Sequence, residues 1–392
     1  MIKLSLRPNL IYPLYLIIWT FLRNIILILI LDLFEFKSSL LFTFLMFLGE
    51  IIGGFILYLY QNGFCKKKFI ICKSFRKQKL PFLTRIAKMK RIDSLTKIGF
   101  LIFIGTFFDF FEFILSTYYI TNIQEISESL HIRLGAFLIV ASSLICRFSL
   151  KLSIFKHQIF SLSIIGICLL ILIISEFFFQ KFDIFLTISN LIIAIIFSIL
   201  SHLSIAFNNT IEKYLIDFNF LHPFLVLIFQ GMIGVLLTTI SFIFENPIPS
   251  FMDIYNNNSI GMFILFIFLF LFYTFFGSLK NIYRMYTIML FSPMNKHLVD
   301  IIINPIYIIC YFSIGKDFID NGKRNYLYFF LNLFLLIIFD FCGLIYNEFL
   351  VLSCFGLEYN TYYSIIDRAN KVYYSDDKEK LEDNTSGENS NN

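Results

Sequence analysis

Apolar segments of about 20 residues recur along almost the whole chain, and their length restricts the folds that are open to it. A helix needs about that many apolar residues to cross the hydrocarbon core of a bilayer. The segments lack the two-residue alternation that is typical of membrane barrel strands. The sequence therefore predicts an all-α membrane protein. Its ten expected transmembrane helices lie near residues 9–31, 39–60, 97–119, 133–149, 158–179, 184–207, 223–244, 260–280, 285–313 and 326–350.

Composition excludes several other classes of protein. Of the 392 residues, 58% are hydrophobic and 15% are charged, whereas soluble domains have about 25% charged residues. The seven cysteines are scattered and include no CxxC pair, so we expect neither a disulfide framework nor a zinc site. We expect no metal and no other cofactor. The basic residues lie mainly between the apolar segments, which indicates membrane orientation and no nucleic-acid partner.

The distribution of Lys and Arg predicts how the helices cross the membrane. The segment 61–97 is dense in basic residues, and the positive-inside rule places it in the cytoplasm. Ten crossings then place both termini in the cytoplasm. The connection 315–325 disagrees, because it carries Lys and Arg on the predicted outer side. The first apolar segment is too long for a signal peptide, so we expect it to remain as a membrane span.

The second and seventh predicted helices carry related sequences. FLGEIIGG at 47–54 aligns with IFQGMIGV at 228–235. Because five is an odd number of crossings, a second half with five helices must be inverted relative to the first. Inverted repeats are common in carriers, whose substrate site lies near the membrane midplane between the halves. Small residues allow close helix approach. The glycines predicted to have this role are Gly53, Gly54, Gly231 and Gly234.

These features divide the chain into three predicted parts. Residues 1–180 form the first five-helix repeat, with the basic loop 61–97 in the cytoplasm, and residues 181–350 form the second. Residues 351–392 become polar and form a predicted cytoplasmic tail. We expect the end of this tail to be disordered, because its composition cannot bury a core.

Two segments resemble a known superfamily. The sequence EKYLIDFNFLHPFLVLIFQGMIG at 212–234 has a Glu at the end of helix six, then a Pro and spaced glycines in helix seven. A short basic link follows helix four (CRFSLKLSIFKHQIFSLSIIGICLLI, 146–171). With ten helices, this pattern resembles the drug/metabolite transporter superfamily, which includes EamA-like proteins. The likeness covers roughly residues 10–350 and is closest to solute carrier family 35, particularly its F-type members, and to chloroquine-resistance-transporter-like carriers.

The resemblance implies an alternating-access carrier whose ninth helix faces a central cavity. The Lys-containing signature of the best-known nucleotide-sugar transporters has no clear match in this sequence. The resemblance therefore does not define the solute. We expect an internal membrane, such as that of a Golgi, vacuole or lysosome-like compartment, rather than the plasma membrane, and a monomer or homodimer.

Ionisable residues at bilayer depth are the main site candidates. Each raises the free energy of insertion by roughly 2.5–3.5 kcal/mol, so such residues indicate pairing or a hydrated cavity. Arg23 in the first helix and Glu50 in the second fall at similar depth and are predicted to pair, either in a cavity or as a structural ion pair. Asp109 and Glu112 are three residues apart on one helix face. Because two such carboxylates repel, we expect one to hold a proton, unless both are simply hydrated.

The ninth helix carries the densest group of polar residues. Lys296 and Asp300 have the spacing of an ion pair along one helix face, and Pro293 and Pro305 flank the group. The resemblance implies that some of these side chains contact the solute, whereas the alternative is an internal salt bridge. The candidates in this helix are Asn295, Lys296, His297 and Asp300.

Four further residues are weaker candidates. His202 and Asp340 are each alone in their helices, where such residues commonly form interhelical hydrogen bonds. Glu212 and Lys213 fall at a predicted cytoplasmic helix end and form either a gate or an interface marker.

The charges predicted at bilayer depth include more carboxylates than cations. The excess is three negative charges, which favours a cationic or zwitterionic solute over an anionic one. The groups counted are Arg23 and Lys296 against Glu50, Asp109, Glu112, Asp300 and Asp340.

These observations predict a multi-pass carrier that moves a small polar organic solute by alternating access, with proton coupling as an option. The alternative is a nucleotide-sugar transporter of the endomembrane system. Further alternatives are a non-transporting membrane scaffold and a membrane-embedded enzyme. We do not expect an enzyme, because HExxH, GxSxG, GxGD and P-loop motifs are missing from the sequence.

Overall fold

The structure is a computed structural model of the chain, and most of the described residues are helical. The predicted basic loop, apart from residues 95–97, and the predicted tail beyond residue 364 lie outside the described residues. The residues described are 2–4, 11–34, 36, 38–59, 95–122, 130–151, 154–179, 186–217, 219, 221–244, 248–257, 259–291, 293–314, 319–320, 323–352, 356–357, 361 and 364.

The described residues form thirteen helices and four very short strands. The helices are α1 (Ile11–Phe34), α2 (Ser39–Leu59), α3 (Leu95–Asn122), α4 (Leu130–Arg133), α5 (Phe137–Ser149), α6 (Lys156–Phe179), α7 (Leu186–Asp217), α8 (Pro223–Ser241), α9 (Ile248–Asn257), α10 (Ile260–Leu290), α11 (Pro293–Ile302), α12 (Asn304–Ile314) and α13 (Tyr326–Tyr346). The strands are β1 (Ile2–Leu4), β2 (Ile319–Asp320), β3 (Lys323–Arg324) and β4 (Leu350–Leu352).

Nine helical segments in the described part of the chain are long and apolar enough to cross a membrane. They are α1, α2, α3, α6, α7, α8, α10, α13 and the segment in which a 3-10 turn joins α4 to α5. Large apolar side chains, such as Phe268, Leu271 and Phe272 of α10, are exposed on the outside of the bundle. The chain is therefore an integral, multi-pass, all-α membrane protein, as the apolar segments predict.

One predicted boundary is wrong in a way that affects the site. The eighth helix was expected to end near residue 280, but α10 continues to Leu290. The additional turns carry Ile282, Met285 and Ile288, which recur every three residues and are buried in one apolar cluster. This periodicity stabilises a helix against its neighbours. Lys280 and Arg284 therefore lie inside the bundle, and not in a connection as the sequence suggested.

The helix that follows α10 is broken. α11 ends at Ile302 and α12 begins at Asn304, with Pro305 in its first turn. A proline has no N–H and clashes with the preceding turn, so it is accommodated at the start of α12 but not within one continuous helix. α11 packs against α1, α5 and α13, deep in the bundle.

The most extensive helix packing joins α2 to α8, and α2 also packs against α10. Gly54 faces Ile228 of α8, and Gly231 faces Phe47 and Ile51 of α2. Later residues of α2 contact earlier residues of α8, so these two helices are antiparallel.

An added Cβ at each of the four predicted packing glycines would meet a neighbouring helix. At Gly53 it would lie 3.0 Å from the Ser278 carbonyl oxygen, and at Gly54 3.1 Å from that of Phe224. At Gly231 it would lie 2.8 Å from the Phe47 carbonyl oxygen. At Gly234 it would overlap the Phe47 ring.

Replacing Gly231 with Ala is expected to lower the melting temperature of the detergent-solubilised protein, because the added methyl group would force α2 and α8 apart. Gly166 on α6 provides a matched control, since no heavy atom lies within 4 Å of a Cβ placed there. Gly166→Ala should leave the melting temperature unchanged or slightly raised, because Ala favours a helix over Gly by up to about 1 kcal/mol. Equal melting temperatures for the two variants would contradict this account.

Candidate functional site

A cavity of about 260 Å³ lies inside the bundle, and its lining comes from α1, α2, α3, α4, α5, α7, α10, α11 and α12. Part of its wall is apolar and includes Phe42, Met46 and Phe113. The remainder is unusually rich in charge for a membrane protein. The acidic and basic side chains that line it are Arg23, Asp109, Glu112, Lys280, Arg284, Lys296 and Asp300.

Two of these charged groups have no partner among the described residues. Neither Glu112 on α3 nor Lys280 on α10 forms a hydrogen bond or an ion pair there. Arg23 on α1 has no carboxylate within 4 Å in that part of the chain. It donates from Nη2 to the Tyr273 hydroxyl, 2.7 Å away, and its guanidinium lies 5.0 Å from the centre of that ring. Glu112 interacts electrostatically with Asp109, a like charge, and with Lys280, Lys296 and Arg23, so charges of both signs face the same cavity.

The other cavity charges are engaged with partners. Lys296 Nζ lies 2.8 Å from Asp300 Oδ2 within α11, so the pair expected from their spacing is present. Nearby, Asn24 Nδ2 donates to the Tyr307 hydroxyl at 2.8 Å, which links α1 to α12.

Arg284 is the centre of a buried charge network. Its Nη2 donates to Glu50 Oε1 of α2 at 2.9 Å and to Glu212 Oε1 of α7 at 3.0 Å. Its Nη1 lies 3.7 Å from Asp109 Oδ2 of α3. All four side chains are buried. One guanidinium therefore joins four helices, and Asp109 belongs both to this network and to the cavity wall.

The predicted pairing of Arg23 with Glu50 is wrong. α2 packs against α10, which brings Glu50 to Arg284, whereas Arg23 on α1 meets Tyr273, about three turns earlier on α10. Similar depth in the membrane is not sufficient for contact, because helix rotation also determines which side chains meet. Glu50 does not line the cavity and lies behind Arg284.

Two of the four candidates in α11 lie outside the cavity wall. His297 is fully buried, and its Nε2 lies 2.6 Å from the Ser142 hydroxyl of α5. Asn295 is also buried in α11 and does not line the cavity. Lys296 and Asp300 do line it, so only one face of this helix contributes to the site.

His202 of α7 lies beside a histidine of another helix. The ring of His131 on α4 lies 4.5 Å from it, centroid to centroid, and both rings line the cavity. His202 Nδ1 lies 2.6 Å from the Ser198 carbonyl oxygen, so this nitrogen carries the proton. The two histidines add neutral polar groups to the charged wall.

The excess of negative charge predicted at bilayer depth is not found in the cavity wall. The extended α10 adds Lys280 and Arg284 to the cavity wall, and Asp340 is not part of that wall. The wall thus contains four cations and three carboxylates, which are Arg23, Lys280, Arg284 and Lys296 against Asp109, Glu112 and Asp300.

The bundle is sealed on the side where α7 and α10 end. Lys213 Nζ bonds the Ile288 carbonyl oxygen at 2.8 Å and lies 3.0 Å from Asp217. An apolar cluster that includes Leu57, Leu215 and Met285 fills the space around it. On the same side, burial lowers the pKa of His222, which precedes α8, so its imidazole is neutral at pH 7. Toward the start of α2, Phe42 and Met46 line the cavity and belong to a second buried apolar cluster, which also includes Phe36 and Phe270.

A second arginine network was missed in the sequence. Arg133 on α4 is fully buried and forms a salt bridge with Glu176 of α6. It also donates to the Tyr328 hydroxyl at 2.7 Å and to Asn332 Oδ1 at 3.0 Å, both on α13. The sequence does contain a signal for this network: Glu176 lies within an apolar segment, and a carboxylate at that depth requires a partner. Since these residues do not line the cavity, the network joins α4, α6 and α13 structurally.

No protein-family model matches the chain, and no curated protein matches it. Within the described residues, no group of three or more His, Cys, Asp or Glu side chains is placed to hold a metal ion.

Replacing Arg284 with Gln is expected to lower the free energy of unfolding by roughly 3–5 kcal/mol, because Glu50 and Glu212 would remain buried without a cation in contact. Arg147→Gln is the control, since Arg147 is exposed at the end of α5. Unfolding in mixed detergent would measure both variants. Adding Glu212→Gln to Arg284→Gln should recover part of the loss, and an Arg284→Gln variant as stable as the control would contradict the role of this network.

Proposed function

We propose that this chain is a membrane carrier that moves a small polar solute by alternating access between two inverted five-helix halves. The observation that carries the proposal is the internal cavity in which unpaired Glu112 faces Arg23 and Lys280. Unpaired charges are unfavourable in a bilayer and are typical of solute or ion pathways. The resemblance to the drug/metabolite transporter superfamily agrees with this proposal.

A tenth crossing is part of the proposal. α11 and α12 together cover residues 293–314, about the length that spans the hydrocarbon core. β1 pairs with β4, with Ile2 opposite Leu352, so the segments before α1 and after α13 lie at the same end of the bundle. This arrangement requires an even number of crossings. The nine long helical segments and the broken α11–α12 segment give ten.

The packing of the helices supports an inverted repeat. In the proposed alignment, the first half (α1, α2, α3, α4–α5, α6) corresponds to the second (α7, α8, α10, α11–α12, α13). The packing of α3 on α7 then matches that of α10 on α1, and α2 on α10 matches α8 on α3. α2 packs against its own counterpart α8, and α6 against α13. Both pairs are antiparallel. For α2 and α8 this follows from the glycine contacts described above. For α6 and α13, Phe179 stacks on Tyr328 while His157 approaches Glu348 at the other end.

The cavity favours a zwitterionic solute. Glu112 provides an acceptor for an ammonium group, and Arg23 and Lys280 provide donors for a carboxylate. A volume of about 260 Å³ lies just below the range of about 300–1,000 Å³ for pockets that hold drug-sized ligands. The size therefore favours a solute such as an amino acid over a nucleotide sugar. One observation favours the alternative of a nucleotide-sugar transporter. Arg23 and Lys280 are cations without carboxylate partners among the described residues, and they would also suit a phosphate.

The cavity is closed toward the ends of α7 and α10. In this proposal the closed side is cytoplasmic, as the distribution of Lys and Arg indicates. Toward the start of α2, a packed cluster that includes Phe36, Phe42 and Phe270 covers the cavity. Rocking of the two halves would open these two sides in turn.

Uptake by purified protein in liposomes tests the proposal, with amino acids, small peptides, organic cations and nucleotide sugars supplied in separate pools. We expect uptake of a zwitterion, at least tenfold lower in Glu112→Gln because its ammonium group loses its counter-charge. Asp253→Asn, on the exposed face of α9, is the control and should match the unmodified protein.

Other outcomes would change the assignment. Nucleotide-sugar exchange that is lost in Lys280→Gln but retained in Glu112→Gln would replace the zwitterion with the anionic alternative. Absence of uptake from every pool would overturn the carrier proposal and favour a membrane scaffold.

A further inference from the structure

The Arg284 network contains more negative groups than its single cation can neutralise. Glu50, Glu212 and Asp109 surround one guanidinium, and two of them share its Nη2 atom. Among the described residues, no other cation lies within 4 Å of Glu50 or Glu212. Other charged groups that interact with the network electrostatically include Glu112 of α3 and Lys296 of α11. Desolvated carboxylates in such an arrangement require further neutralisation.

The unused oxygen atoms of this network show where a proton would be accommodated. Glu50 Oε2 and Glu212 Oε2 are buried and accept no hydrogen bond from any described residue. Gln230 of α8 is fully buried, and its side-chain amide interacts with Glu212. One N–H of its Nε2 donates to Asn208 Oδ1 at 3.2 Å and the second is available to Glu212, whereas its Oε1 has no donor among the described residues. A carboxylate that binds a proton becomes a donor, so protonation would satisfy an acceptor such as Gln230 Oε1.

A proton suits this place better than a metal ion. The Arg284 guanidinium lies within 3.0 Å of an oxygen of both glutamates, so a further cation there would be repelled. A metal ion also needs a shell of several ligands, and the described residues offer no such group. A proton needs only one carboxylate oxygen.

The network also occupies the boundary that a carrier must open. It joins α2 and α3 of the first proposed half to α7 and α10 of the second, between the cavity and the sealed side. Lys213, adjacent to Glu212, bonds the end of α10 as well. Both contacts must be broken before the cavity can open on that side.

We propose that Glu50, Glu212 and Arg284 form a proton-binding gate that couples solute movement to a proton gradient. This inference rests on the proposed carrier function. A proton that arrives through the cavity from the opposite side binds Glu50 or Glu212, the neutral carboxyl releases Arg284, and the two halves separate on the side where α10 ends. The proton then leaves to water on that side and the ion pair re-forms, so that one proton crosses the membrane with the solute. Asp109, in both the network and the cavity wall, links this gate to the bound solute.

Two transport assays on the full chain in liposomes test the gate, with the zwitterion that the unmodified protein takes up. One measures exchange at equal pH on both sides, over a range of pH values. The other measures accumulation driven by an inward proton gradient. We expect the unmodified protein to accumulate solute and its exchange rate to vary with pH. Glu212→Gln and Glu50→Gln should each reduce accumulation at least tenfold and make exchange independent of pH, whereas Asp253→Asn should behave as the unmodified protein.

A second measurement applies even where these variants fail to fold. Solute added to the unmodified, detergent-solubilised protein in weak buffer should change the number of bound protons by about one per chain, as followed with a pH-sensitive dye. Binding without any proton change would overturn the gate. Accumulation driven by a sodium gradient but not by a proton gradient would overturn it too, as would normal gradient-driven accumulation in both Gln variants. Failure of the unmodified protein to exchange or bind any solute would instead overturn the carrier proposal.

Discussion

The structure depends on the neutralisation of arginine side chains where no water can hydrate them. Arg284 and Arg133 are both buried, and each is surrounded by oxygen atoms from helices that are distant in sequence. A buried ion that loses its partner is strongly destabilising, so each arginine fixes the relative positions of several helices. The Arg133 network joins α4, α6 and α13. The Arg284 network joins α2, α3, α7 and α10, and it separates the cavity from one face of the membrane.

The length and apolar character of the helices could be predicted from the sequence, because the bilayer imposes the same local requirement on every span. The end of α10 could not. Lys280 and Arg284 resemble the start of a connection between helices. Arg284 is stabilised within the helix by Glu50, which lies 234 residues earlier in the sequence and could not be identified as its partner. The Lys296–Asp300 pair could be predicted, because both residues lie on one helix at a spacing that brings their side chains together.

In the candidate site too, the individual residues could be predicted from the sequence but their contacts could not. Arg23, Asp109, Glu112, Lys296 and Asp300 line the cavity, and the sequence drew attention to all five because charge is rare at bilayer depth. Their partners could not be deduced in the same way. Depth along the membrane normal is one coordinate, whereas contact requires rotation about each helix axis and the identity of the neighbouring helix. The glycines of α2 and α8 determine the latter through packing that no single segment specifies.

The length of α10 has a consequence for access to water. Its 31 residues rise about 1.5 Å each, so the helix is about 46 Å long and exceeds a hydrocarbon core of about 30 Å by roughly 8 Å at each end when centred. Arg284 is six residues from the end of the helix, or about 9 Å. The buried arginine therefore lies near the boundary of the hydrocarbon core and not at the bilayer midplane. A thicker membrane would draw this level into the acyl chains, which makes membrane thickness a determinant of how readily the network is hydrated.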